Sequence, residues 1–397
     1  MRKKVLLTSI LYRPNIGGIE NSLYHLALEY KELGYSVEIV SSDRNNQSEE
    51  HLDSFEKIDN NISCYRYKSM HKNLFGVFRN YLNKYKILKK LSVSSSPYDM
   101  VLARSALSVI ACRHAGLVNV LYLLPGVSLY QSSGNKLFSK MSFLKRMKVF
   151  VSNKYNHYLQ YIAVRLASKN LVFSNNMLVQ VKSALNINVN SPIVKPGIDS
   201  NRFHLVAENT KSLLREKLNL PLDKKIVLGL GRFVKAKGFE ILIEALKYLP
   251  KEYVVCLVGH GIEEPTYNEL ALHYGVSEKL IILPATAKPE EVYQASDFFA
   301  MTSNYEPLGQ TIIEAQACGL PIIALNPSTL DITTAIDEVT IDFSRELCNV
   351  NDGKGFSNSL LKMNQRLETG GVDRTAISEY ARKTFSWHTL AKKLISI

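Results

Sequence analysis

A chain of 397 residues, 46% hydrophobic and 21% charged, has the length for two domains and the composition of a globular, enzyme-sized protein. Its five cysteines, Cys64, Cys112, Cys256, Cys318 and Cys348, are scattered without a Cys-x-x-Cys pair, which argues against a disulfide framework or a zinc site and fits a reducing cytoplasm. The net charge of +13 is uneven: residues 1–195 hold 27 Lys+Arg and 11 Asp+Glu, the remainder 22 and 25, and residues 61–170 hold 18 cations and a single acid, Asp99.

Met1-Arg2-Lys3-Lys4 and the apolar run after it have the outline of a signal peptide. The run is short, however, Tyr12 and Arg13 follow it, and no small-residue cleavage site appears. Residues 4–10 read instead as a buried parallel strand, and no stretch reaches the roughly 18 apolar residues of a bilayer span. Pro14-Asn15-Ile16-Gly17-Gly18-Ile19-Glu20 then opens a helix through Tyr30 that ends at Gly34. Strand, glycine loop and helix cradle phosphate in general terms, although a plain tight turn explains two adjacent glycines as well.

Residues 35–42 form a second strand and 43–61 a polar connection. Residues 68–91 are basic and amphipathic, with Leu74, Val77, Phe78, Tyr81, Leu82, Tyr85 and Leu88 at helical spacing and Lys72, Arg79, Lys84, Lys86, Lys89 and Lys90 at other positions. Strands follow at 98–103 and 119–124, the second running into Pro125-Gly126. Residues 132–167 are a second basic helical region, with Lys136, Lys140, Lys145, Arg146, Lys148 and Lys154 beside Phe138, Met141, Phe143, Leu144, Met147, Val149 and Phe150. Such segments suit either an anionic membrane surface or a solvated face over a core. Their pairing in one half favours the membrane, and hence a peripheral location.

After a strand at 170–174 and a helix at 175–185, Ser191-Pro192-Ile193-Val194-Lys195-Pro196-Gly197-Ile198-Asp199 leads into a renewed α/β alternation. Strands are expected at 226–230, 253–258, 280–283, 298–301 and 321–325, and helices at 239–249, 266–274, 289–294 and from Pro307 onward. This order implies parallel sheets covered on both faces, in two Rossmann-like domains that face each other, with ligand at the carboxyl ends of the strands.

Two motifs carry chemistry. Gly229-Leu230-Gly231-Arg232-Phe233-Val234-Lys235-Ala236-Lys237-Gly238 follows a buried strand, but Val234 stands where a dinucleotide fingerprint needs its third glycine, which argues against NAD as the main reading. Cations at Arg232 and Lys237 and space at Gly231 remain. Ser303-Asn304-Tyr305-Glu306-Pro307-Leu308-Gly309-Gln310-Thr311-Ile312-Ile313-Glu314-Ala315 places two carboxylates beside a helix N-terminus, which favours anions. Gly309 lacks a Cβ where a ligand approaches the backbone. Gly319 and Pro321 stop the helix. Phosphate at the helix end and sugar hydroxyls on the carboxylates make a consistent ligand.

Glu306, seven residues and Glu314, in an opening Glu-Pro-Leu-Gly and a closing Glu-Ala, resemble retaining glycosyltransferases of the GT-B fold, family 4 (glycosyl transferases group 1). The resemblance covers most of the chain and is densest over 195–324. It implies an acceptor-binding domain at 1–195, a donor-binding domain at 196–376 and a terminal helix at 377–397 crossing back to the first domain. It implies transfer of a hexose-type sugar from a UDP- or GDP-sugar to a saccharide acceptor, often lipid-linked, in polysaccharide, lipopolysaccharide or glycolipid synthesis. Arg232, Lys237 and Glu306 take the catalytic positions. Gly17, Gly18, Gly231, Thr286, Leu308, Gly309, Gln310 and Glu314 complete the donor site, with Glu314 on ribose, Glu306 on the donor sugar and the Gly17-Gly18 loop at the diphosphate.

No metal or other cofactor is expected. The family histidine after strand 119–124 has no counterpart, since Leu123-Leu124-Pro125-Gly126 stands there, so the acceptor base is unassigned. Asn326-Pro327-Ser328-Thr329 replaces a glycine-rich turn, with Asp331 in the acidic position. The alternatives are a sugar-nucleotide epimerase or hydrolase on the same scaffold, which the Glu-x₇-Glu motif argues against, and a basic nucleic-acid-binding protein, for which no binding module appears.

Overall fold

A computed structural model describes residues 3–15, 17–46, 48, 50–70, 74–94, 97–127, 143–306 and 308–397. The chain divides into two compact units, 1–197 with 387–397, and 198–386.

In the first unit the chain runs β1 (Lys4–Thr8), α1 (Gly18–Glu32), β2 (Ser36–Ser42), β3 (Phe55–Asp59), β4 (Ile62–Tyr67), α2 (Leu74–Ser94), β5 (Met100–Ala103), α3 (Ala106–His114), β6 (Val120–Leu123), α4 (Phe143–Leu166), β7 (Lys169–Leu171) and α5 (Asn175–Leu185). The sheet order is β3-β4-β2-β1-β5-β6-β7, parallel except where β3 pairs antiparallel with β4. Central strands β5 and β6 are buried along their whole length and β1 from Val5 to Thr8, the pattern of strands in the middle of a parallel sheet. The segment 43–61, read as a polar connection, contains edge strand β3, whose Phe55, Glu56 and Lys57 are exposed and so carry no burial pattern. Strand β4 is likewise an addition to the expected elements. The residues 132–142 of the second basic region, and Pro307 with Ile16, lie outside the described residues.

The second unit runs α6 (Glu208–Lys217), β8 (Lys225–Leu230), α7 (Phe239–Ala245), β9 (Tyr253–Gly259), α8 (Glu264–His273), β10 (Leu280–Pro284), α9 (Pro289–Ala295), β11 (Phe298–Met301), β12 (Tyr305–Glu306), α10 (Gln310–Ala317), β13 (Ile322–Leu325), β14 (Thr333–Thr334), α11 (Ile336–Val339), β15 (Arg345–Cys348), α12 (Gly353–Glu368) and α13 (Arg374–Thr384). Its main sheet, β10-β9-β8-β11-β13-β15, is parallel throughout, and β12 pairs with β14 separately. Asp297 anchors the sheet: its carboxylate meets Lys211 at 2.6 Å and Arg215 at 2.7 Å and accepts the Ile226 amide at 2.7 Å. Burial acts to raise that carboxyl, but the two cations hold it below its ordinary range.

The final helix, α14 (Trp387–Ser396), belongs to the first unit, where it packs on α1. Trp387 stacks on His25 with ring centroids 5.3 Å apart, and Lys393 reaches the Ile193 carbonyl at 2.8 Å. The expected single terminal helix over 377–397 is therefore corrected to two helices. They separate at Phe385, whose φ of −110° and ψ of 70° are not helical, because buried Phe385 and Trp387 pack in different units.

Candidate functional site

The site-bearing turns of the second unit leave the carboxyl ends of β8, β9 and β11. After β8 the chain passes through Gly231 (φ +153°), Arg232 and buried Phe233 into a 3₁₀ turn, Lys235–Lys237, and Gly238 (φ +63°). Glycine is required at Gly238, because a Cβ there would stand 2.3 Å from the Thr302 carbonyl oxygen. The turn after β9 interlocks with this loop. The Phe233 amide donates to the His260 carbonyl at 2.8 Å, and a Cβ on Gly259 would meet the Gly231 oxygen at 1.9 Å. Gly259, His260 and Gly261 are absent from the residues the sequence motifs mark; a Gly-x-Gly at the end of a buried strand is the signal that could have found them.

The third turn follows β11. Thr302 Oγ1 donates to the Lys237 carbonyl at 2.8 Å, and the Asn304 amide to the Ala236 carbonyl at 3.0 Å. These bonds bring Lys237 Nζ within 2.6 Å of Glu306 Oε2. The backbone of Glu306 is fixed from its other side by pairing with Thr334 and by the Ala335 amide, which donates to the Glu306 carbonyl at 2.9 Å.

The helix expected from Pro307 begins at Gln310. Extended pairing at Tyr305–Glu306 and the left-handed φ of +71° at Gly309 postpone it, and Gly309 is its N-cap. A Cβ at Gly309 would stand 3.0 Å from Ile312 Cδ1 and 3.2 Å from Val339 Cγ2, so the glycine serves the turn and its packing as well as any ligand. Leu308 is half-buried beside it.

Glu314 lies in the second turn of α10 and accepts the Tyr293 hydroxyl at 3.1 Å. Burial pushes its carboxyl up to about 7, against the opposing hydrogen bonds from Tyr293 and Gln310 and the charge of Arg202. Arg202 is itself held by Glu290 at 2.6 Å. Tyr293 and Arg202 are likewise unmarked by any sequence motif.

Gly231, Arg232, Gly259, His260, Thr286 and Glu314 share one cavity of about 210 Å³. Arg232 is exposed on its wall and makes no side-chain hydrogen bond or ion pair among the described residues. Lys237 packs alongside: its Cε lies 3.0 Å from where a Cβ on Gly231 would stand. Thr286 is exposed in the loop after β10, its hydroxyl accepting the Lys288 amide at 3.0 Å. The arrangement offers a free guanidinium, an ammonium paired to a carboxylate, and a second carboxylate that changes charge near neutral pH. That combination suits an anion joined to hydroxyl-bearing groups. Asp331 is exposed. Among the described residues no group of three or more His, Cys, Asp and Glu is arranged to hold a metal ion.

Gly17 and Gly18 open α1 in the first unit. Glu20 folds back so that its Oε2 lies 2.3 Å from where a Cβ on Gly17 would be, while the space at Gly18 is open. Asn15 pins the loop, donating to the Tyr12 and Arg44 carbonyls at 2.8 Å each and accepting the Asn46 amide at 2.7 Å. After β6, Arg104 Nη1 donates to the Leu123 carbonyl at 2.7 Å and Gln160 to the Gly126 carbonyl at 2.8 Å. His114 is tied to the Tyr81 hydroxyl at 2.5 Å and His25 to the Trp387 stack, as structural histidines.

Residues 210–384 match the family model described as Glycosyl transferases group 1. The D-inositol 3-phosphate glycosyltransferase of Xylanimonas cellulosilytica is 32% identical over 156 residues, 37% of this chain and 37% of that protein. The lipopolysaccharide core biosynthesis glycosyltransferase LpsE of Rhizobium meliloti is 39% identical over 110 residues, 28% of this chain and 32% of that protein. The chain thus spans well under two thirds of these relatives' lengths. Among solved structures, sucrose-phosphate synthase from Thermosynechococcus elongatus superposes with a TM-score of 0.77 at 18% identity, covering 99% of this chain and 97% of that one. Anabaena Alr3699/HepE in complex with UDP and glucose gives 0.74 at 18% identity, covering 99% and 98%. The fold is that of GT-B glycosyltransferases, and the second unit carries the glycosyl transferases group 1 family domain.

Proposed function

We propose that this chain is a retaining hexosyltransferase that moves a hexose-type sugar from a nucleotide diphosphosugar to a saccharide acceptor, in lipid-linked form, for the synthesis of cell-surface polysaccharide, lipopolysaccharide or glycolipid. The observation that carries this reading is the gathering, in a single unit, of Arg232 and the Lys237–Glu306 pair on turns locked to one another, with Glu314 of α10 lining the same cavity as Arg232. The UDP in the Anabaena complexes favours a UDP-sugar over a GDP-sugar.

The chemistry follows from the leaving group. Breaking the bond at the anomeric carbon puts negative charge on the β-phosphate, so the main catalytic demand is electrostatic stabilisation there. Arg232 supplies a planar fork of donors and Lys237 a compact charge. The Gly309–Gln310 end of α10 supplies backbone N–H donors. Glu306 accepts from donor-sugar hydroxyls and Glu314 from the ribose diol. The Thr286 loop packs on the base. No group is assigned as acceptor base, and the protein works at the inner face of the cell membrane.

The test is a thermal-shift panel of UDP, GDP, ADP, CDP and NAD. A ligand at about 100 times its dissociation constant stabilises the native state by about 2.7 kcal/mol, which is readily detected. A shift with one nucleoside diphosphate supports the reading and names the base. A shift with none of them, or with NAD alone, overturns it.

A further inference from the structure

Helix α4 turns an apolar and cationic stripe outward. Met147 (47% exposed), Phe150 (54%), Val151 (48%) and Tyr158 (60%) share one face with exposed Lys154 and Arg165. At about 100° per residue these six positions span about 100° of the helix surface. The opposite side, with Gln160, Ala163 and Val164, is buried. From Met147 to Tyr158 the stripe is about 16 Å long. Lys154 Nζ lies 5.7 Å from the centre of the Phe150 ring, so the cation and the aromatic are neighbours on it. The helix sequence contains no Asp or Glu.

Helix α3 packs against both α2 and α4, which puts the three in one layer on the first sheet. The exposed row of α2 is Phe78, Arg79, Lys86, Lys89 and Lys90, again without an acid. Large apolar side chains left in water beside cations are costly to a face that meets only solvent. A second copy of this face would set cations against cations. A nucleic acid would engage the cations but leave Met147 and Val151 without a role.

We propose that the outer face of the α2–α3–α4 layer docks on an anionic lipid bilayer. Phe150, Val151 and Tyr158 sit at the headgroup–acyl boundary, and Lys86, Lys89, Lys90 and Lys154 pair with lipid phosphates. The inference deepens the lipid-linked-acceptor reading but does not use the donor site, so nucleotide binding and membrane binding fail separately. Among the described residues no helix is long and apolar enough to cross a membrane, so the contact is a surface one.

The test is co-sedimentation of the full chain, without substrate, with phosphatidylcholine vesicles and with vesicles also containing phosphatidylglycerol, at low and high salt. Binding to the anionic vesicles alone, released by salt, is expected. F150S/Y158S should weaken it by about tenfold, and K86E/K89E by roughly 25-fold or more. All these side chains are at the surface, so thermal unfolding and the nucleoside diphosphate shift should be unchanged and report that the variants are folded. Equal binding to neutral vesicles, no binding to anionic ones, or wild-type binding by both variants overturns the proposal. So does a dimer in sedimentation velocity that F150S/Y158S disperses. An oligonucleotide complex that outcompetes the vesicles and is lost in K86E/K89E alone overturns it as well.

Discussion

The Lys237 ammonium meets the Glu306 carboxylate at 2.6 Å, with side chains 18% and 16% exposed, across 69 positions of sequence. In a pair this shielded, removing one partner leaves the other charge poorly solvated. Lys237→Met should lower kcat by about 10²–10³ by removing charge from the leaving phosphate. Glu306→Gln should lower it comparably while retaining nucleoside diphosphate affinity, since its role lies at the sugar. Steady-state kinetics with nucleotide titration separates the two. Full activity in both variants would falsify the site assignment.

Arg232 differs from Lys237 in having no carboxylate partner among the described residues. Its free fork matches a diphosphate in two places, and a lysine there matches in one. Arg232→Lys should therefore weaken nucleoside diphosphate binding by about tenfold and Arg232→Ala by more, on the scale of charged hydrogen bonds. Titration calorimetry measures this directly. Equal affinity in wild type, Lys and Ala would place the diphosphate elsewhere.

Much of this arrangement is legible in the sequence because it is local. The continuous apolar runs of β8, β9 and β11 announce a parallel sheet, and the spacing of Glu306 and Glu314 and of Arg232 and Lys237 announces the ligand groups. What is not legible depends on the partner of a residue rather than on its neighbours. Tyr293 is 21 positions from the Glu314 it touches. Gly259 is required by an oxygen of Gly231, in the turn that follows the neighbouring strand. Exposed β3 lacks the burial that marks a strand, and the start of α10 is set by the φ of Gly309 rather than by the proline before it.

The Gly259 contact yields a stability prediction. A Cβ 1.9 Å from a backbone oxygen cannot be relieved by rotating a side chain, and the φ of +157° adds strain for any other residue. Gly259→Ala should cost more than about 2 kcal/mol and spread the turns that hold Arg232. Chemical denaturation should show a lower midpoint for the second unit together with lost nucleotide affinity. A variant with wild-type stability would mean that the two turns separate freely.

Lys84 makes the first unit sensitive to alkaline pH. Its ammonium is buried, 2.6 Å from Ser108 Oγ and 2.7 Å from the Ser9 carbonyl, and burial pushes its pKa down from 10.5 to about 7. Between those values the unfolded chain holds a proton that the folded one has released, so stability rises as pH climbs from about 7 towards 10.5. Lys84→Met should remove that slope from the unfolding transition of the first unit. A slope that persists in the variant would assign it to another group.

Glu314 has the opposite linkage in the second unit. Its carboxyl is raised from 4.5 to about 7 by burial, so between these values the folded protein keeps a proton that the unfolded chain has lost. Stability is therefore complete below pH 4.5 and falls as pH rises to about 7. The loss is on the order of 3 kcal/mol at most, since each tenfold difference in proton affinity between the folded and unfolded chain is about 1.36 kcal/mol. Glu314→Gln should match wild type near pH 4.5 and exceed it above pH 7 in denaturation of the second unit. The same variant should bind the nucleoside diphosphate more weakly, because the ionised carboxylate accepts hydrogen bonds from both ribose hydroxyls and the amide supplies a single acceptor oxygen. Stability gained at alkaline pH with affinity lost is the signature of a carboxylate kept for its ligand at a cost to the fold. If the variant neither gains stability nor loses affinity, Glu314 is an ordinary solvated acid with no part in the site.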